Sequence, residues 1–79
     1  MVDQTHKFAV VLAPEADGGF TVRVPALPEI VTYGDDETEA LAMAKDAIGL
    51  VLEDMAARGE PLPSPSTPQI REVTVTLAA

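Results

Sequence analysis

The chain has no cysteine, no tryptophan, a single histidine, and five lysines and arginines against thirteen acidic residues in 79 positions. Without cysteine there is no disulfide staple and no thiolate zinc site. A nucleic-acid surface needs clustered basic side chains, but Lys7, Arg23, Lys45, Arg58 and Arg71 are scattered. The formal charge of −8 therefore argues against direct nucleic-acid binding and against adhesion to an anionic membrane. No apolar run approaches membrane-spanning length, and Met1-Val2-Asp3-Gln4-Thr5 has no signal-peptide character. These absences leave a cytoplasmic protein as the expectation. A chain this short has a thin core, and without staples oligomerisation is the ordinary way to enlarge it.

The acidic excess suits a basic partner protein, whose encounter it would steer. A coat that only maintains solubility explains it equally well. Residues 7–13 form an apolar run with Phe8, Val10 and Leu12 on one side and Ala9 and Val11 on the other, which predicts a strand covered on both faces. Asp17-Gly18 then signals a hairpin. Residues 20–24 alternate, with Phe20, Val22 and Val24 inward and Thr21 and Arg23 outward. Pro25-Ala26-Leu27-Pro28 ends that strand, and residues 30–33 form a short third one ending at Gly34.

A helix follows. Asp36 is its N-cap, Glu39 completes a variant capping box, and Glu37 and Glu39 favour the positive end of the dipole. Leu41, Ala44, Ile48, Val51, Leu52 and Met55 form its apolar stripe. Gly59 closes it after Arg58, and Gly49 would allow the helix close to the sheet. Pro61, Pro63, Pro65 and Pro68 make residues 60–69 an extended linker, a rigid spacer rather than a ligand for an aromatic groove. Alternation then returns, with Arg71, Val73, Val75 and Leu77 on one side and Glu72, Thr74 and Thr76 on the other, and predicts a fourth strand. The expected fold class is α+β: a single β-β-β-α-β domain over residues 1–79. It has an antiparallel three-stranded meander plus the fourth strand, and one helix covers one sheet face.

No catalytic constellation emerges. The first strand lacks carboxylates, and Glu53 and Asp54 lie on the solvated side of the helix. His6 precedes the first strand without a nucleophile or orienting partner. Gly18-Gly19 lacks the lysine and helix of a phosphate loop. No metal, cofactor or catalytic residue is expected. Tyr33 is either an interface anchor or a ring packed over the helix start.

Three segments resemble the HicB family of toxin–antitoxin proteins: Glu15-Ala16-Asp17-Gly18-Gly19-Phe20-Thr21-Val22; Pro25-Ala26-Leu27-Pro28 with Val31-Thr32-Tyr33-Gly34-Asp35 and Glu39-Ala40; and Gly59-Glu60-Pro61-Leu62-Pro63. Glu29 departs from the family pattern, where glycine is usual. The resemblance implies a partial ribonuclease-H-like fold without catalysis. It also implies an antitoxin that neutralises a small basic RNA-cleaving toxin of the HicA type. Many members add a C-terminal DNA-binding segment, and no such domain is expected before Ala79. The expected partner surface combines Leu27 and Tyr33 with Asp35, Asp36, Glu37 and Glu39. Ile70, Val73, Val75 and Leu77 are expected at the contact of a homodimer or higher even oligomer. An orphan self-associating module of the same fold is the alternative, with a small metal-dependent hydrolase a distant third.

Overall fold

The hairpin and the helix cap organise the chain. In the computed structural model, which describes residues 5–64 and 67–78, the elements are β1 (Val11–Pro14), β2 (Phe20–Arg23), β3 (Val31–Gly34) and α1 (Glu37–Ala57). The three strands form one antiparallel sheet in the order β1-β2-β3. At the β1–β2 turn, the Gly18 amide donates to the Glu15 carbonyl (3.0 Å) and the Glu15 amide to the Gly19 carbonyl (2.8 Å). Gly18 has φ +94°, a conformation that costs glycine little and other residues much.

Asp36 begins α1 from extended backbone, and its Oδ1 accepts the Glu39 amide at 2.8 Å. The Glu39 carboxylate accepts from the Asp35 amide at 3.0 Å rather than from the cap residue itself, so the box is closed one residue early. At the other end Gly59 has φ +71°. The Glu60 amide reaches the Met55 carbonyl and the Gly59 amide the Ala56 carbonyl, the paired bonds of a Schellman motif. Arg58, the C-cap residue, also bridges Asp54 and Glu60.

Helix α1 covers one sheet face, mostly over β2 and β3. Val22, Ala40 and Ala44 form one buried cluster, with Val10, Leu12 and Phe20 against it. Val24, Leu27, Ile30 and Ile48 form a second, flanked by Phe8, Val51, Leu52 and Met55. The close approach of helix and sheet is set at Gly34, where an added Cβ would overlap the Ala40 backbone. Gly49 does not serve that purpose, since a Cβ there would meet nothing within 4 Å. Leu41 is 43% exposed and lies on the flank of α1 rather than on its buried stripe.

Two further expectations are overturned. The first strand is Val11–Pro14 in place of residues 7–13, and it is covered on one face only, because Val11 and Ala13 are exposed. The fourth strand is not formed: the sheet has three strands, and residues 67–78 belong to none of them. Ile70, Val73, Val75 and Leu77 are 83%, 85%, 77% and 89% exposed. No strand pairs with the segment among the described residues. The linker prolines have no amide to donate, and the Arg71 guanidinium bonds only to its neighbours Gln69 and Ile70. The radius of gyration is 15.9 Å, against about 12 Å for a compact domain of this length, and the long dimension is 62 Å. Residues 1–4, with most of the segment read as lacking a signal peptide, and linker residues 65–66 lie outside the described residues, as does Ala79.

Candidate functional site

Because α1 covers only one face, the other face of the sheet is open. The register aligns Val11, Arg23 and Val31 in one row across it and Ala13, Thr21 and Tyr33 in the next. Val11, Val31 and Tyr33 are 40%, 53% and 38% exposed. They form an apolar strip broken by Arg23, the only basic residue in these two rows.

Acids close the hairpin end of this face. The Tyr33 hydroxyl donates to Asp17 Oδ2 at 2.8 Å, and the Gly19 amide donates to Asp17 Oδ1 at 2.9 Å. Both carboxylate oxygens are thus engaged, and the turn is pinned to β3. The ring passes so close to Gly19 that an added Cβ would overlap the phenolic oxygen. Thr21 donates to the Glu15 carboxylate. The Gly19 amide, followed by the Tyr33 hydroxyl, holds the Asp17 carboxyl below its ordinary value. The same bond to Asp17 raises the Tyr33 phenol to about 12.

The expected partner residues separate into three groups. Tyr33 is on the open face, with its ring held over the hairpin rather than over the helix start. Asp35, Asp36, Glu37 and Glu39 are exposed around the start of α1. Asp36 and Glu39 are committed to the cap, while the carboxylates of Asp35 and Glu37 make no hydrogen bond or ion pair among the described residues. Leu27 is buried at 3% exposure and is no surface anchor. Two successive turns, from the Leu27 amide to the Val24 carbonyl and from the Ile30 amide to the Leu27 carbonyl, tuck it into the core. The residues expected at an oligomer contact are separate from this face, on the extended segment.

Val11, Val31, Glu15 and Asp17 were missing from the expected surface. Alternation in β1 and β3 could have placed both valines outward, had β1 been read as covered on one face. Asp17 was legible only as a turn residue, since its bond to Tyr33 spans 16 positions.

Among the described residues no charged or polar side chain is buried, and no cluster of three metal-ligating side chains occurs. No described helix is long and apolar enough to cross a membrane.

A family model described as "HicB_like antitoxin of bacterial toxin-antitoxin system" matches residues 7–79. The chain belongs to the HicB-like antitoxin family. It is 36% identical over 75 residues to "Antitoxin HicB 1" of Photorhabdus laumondii, covering 92% of this chain and 48% of that protein. It is 34% identical over 64 residues to a UPF0150 protein of Thermoplasma acidophilum, covering 81% of this chain and 93% of that one. "Antitoxin HicB" of Escherichia coli K12 is 36% identical over 61 residues, covering 75% of this chain and 44% of that antitoxin. The chain thus spans about half the length of the HicB antitoxins it matches. The family is one of antitoxins rather than enzymes, and no catalytic role is assigned to any residue.

Proposed function

We propose that this HicB-like chain binds and neutralises a small, basic, RNA-cleaving toxin of the HicA type, acting in the cytoplasm without touching nucleic acid itself. The observation that carries the reading is the family match over residues 7–79. The open sheet face supports it, because the face joins an apolar strip to an acidic end. Tyr33 and Val31 would supply contact area, since semi-exposed aromatic anchors dominate binding energy. Asp35 and Glu37, with Glu15 beside the hairpin, would mainly accelerate association with a cationic partner. Asp36 and Glu39 belong to the same acidic rim, although their first task is the helix cap.

Co-expression with the product of an adjacent small reading frame, followed by pull-down and growth rescue, tests this reading. Tyr33→Ala should weaken the complex through faster dissociation. The pair Asp35→Lys and Glu37→Lys should slow association and flatten its salt dependence. Failure to bind, or binding without rescue, would leave the second reading, an orphan self-associating module. That alternative is supported by one observation: the match covers 93% of the Thermoplasma relative, so a protein of about this extent occurs there on its own. Under either reading we propose a homodimer or a higher even oligomer, because the core is small.

A further inference from the structure

Beyond the free edge of β1, under the flank of α1, runs an apolar cleft of about 550 Å³. Its walls include Phe8, Val10, Leu41, Ala44, Ile48 and Leu52, with Gly49 opening into it. It is an open groove that leaves apolar side chains beside the core facing solvent, a surface of the kind that another chain covers. It also adjoins an unpaired strand edge, which offers backbone donors and acceptors to another strand. Among the described residues nothing covers it.

The same chain carries a segment with the matching chemistry. Residues 70–77 alternate, are exposed throughout, and make no backbone ladder. We infer that this arm from one copy docks along the β1 edge of a second copy, reciprocally. Val73, Val75 and Leu77 enter the cleft, and Thr74 and Thr76 lie on the side of the open sheet face. This rests on the self-association proposed above and names its contact. The occupant is a second copy because the arm does not lie on its own body: Ile70, Val73, Val75 and Leu77 are 83%, 85%, 77% and 89% exposed and pair with no strand of their own chain. The 62 Å long dimension agrees with an arm held off its own body. Gly49 acquires a reason as well. It costs helix stability although a Cβ there would meet nothing within 4 Å, and a larger side chain would fill the space that the arm takes.

Sedimentation of the full chain and three variants tests the inference, with circular dichroism following the helix. The variants are a deletion of residues 67–79, Gly49→Leu, and the double substitution Val73→Asp with Val75→Asp. No arm residue contributes to either core cluster, and a side chain added at Gly49 begins in open space, so all three should stay helical. The full chain should sediment as a dimer or an even multiple at about 100 µM, far above ordinary specific affinities. Each variant should associate at least ~10-fold more weakly, as loss of central apolar anchors does. A synthetic peptide of residues 67–79 should bind the deletion variant and not its Gly49→Leu form. Folded variants that remain dimeric would overturn the arm contact while leaving self-association standing. A monomeric full chain would overturn both.

Discussion

Strand β2 and the arm over residues 71–77 carry the same pattern, β-branched or apolar side chains alternating with polar ones, yet their surroundings are opposite. Val22 of the first segment and Val24 just after it are 0% and 1% exposed, whereas Val73 and Val75 of the second are 85% and 77% exposed. The difference lies in what flanks them. Residues 15–19 return the chain at once to β1 through a hydrogen-bonded turn, and β3 arrives on the other side after a short connector. The arm follows a linker whose prolines offer no amide to a ladder. Alternation specifies which faces a strand would present. Whether a strand forms depends on a neighbouring edge being reachable at low entropic cost.

The sharpest way to break this comparison is to put the same charge into both segments. Val22→Asp would bury an unpaired carboxylate between Ala40 and Ala44 and should cost several kcal/mol, enough to unfold a small domain. Val75→Asp should leave the thermal midpoint of the dissociated chain unchanged. If both variants unfold alike, the arm contributes to the core and the contrast fails.

A smaller effect separates the two roles of the acids at the start of α1. Asp36→Ala removes the acceptor of the Glu39 amide and should cost about 1 kcal/mol in urea denaturation. Glu37→Ala should cost at most a few tenths from the helix dipole. Equal losses would mean that the cap is not made through Asp36.

The smallest effect concerns the pin between hairpin and β3. Asp17 has a lowered pKa in the folded chain, so its contribution is present above its ordinary value of 3.8 and is lost as pH falls through the folded value. Tyr33 has a raised pKa, so its contribution is complete below its ordinary value of 10.0 and is lost as pH rises through about 12. Both groups face solvent, which keeps the effect on stability slight. Spectrophotometric titration should place the phenol near 12 and move it back toward 10 in Asp17→Ala. An unchanged midpoint would show that the hydrogen bond is not held in solution.

Signals carried by neighbouring residues were legible in the sequence. Asp17-Gly18 marked the turn, Asp36 with Glu39 and Gly59 marked the two ends of the helix, and alternation gave the inward set Phe20, Val22 and Val24. Features that depend on distant partners were not. Leu27 reads as a surface leucine between prolines, and only the two turns around it show that it points into the core. The contact of Tyr33 with Asp17 joins segments separated by the whole of β2. Residues 70–77 have every local mark of a strand and lack the one thing no local pattern encodes, an adjacent edge. The family resemblance was legible because its motifs sit in turns and caps, where local geometry restricts the residue type.

Tyr33 is the chain's single tyrosine, and there is no tryptophan. Ultraviolet absorption above the phenylalanine band and intrinsic fluorescence therefore arise from one ring, on the open face and bonded to Asp17. Any partner that settles on that face must alter the solvent and the hydrogen bond around the only strong chromophore. Docking of a second copy's arm at the β1 edge involves no aromatic residue of the arm and would leave the ring's own bond in place. The unlabelled protein thus carries an optical probe that tells its two proposed contacts apart.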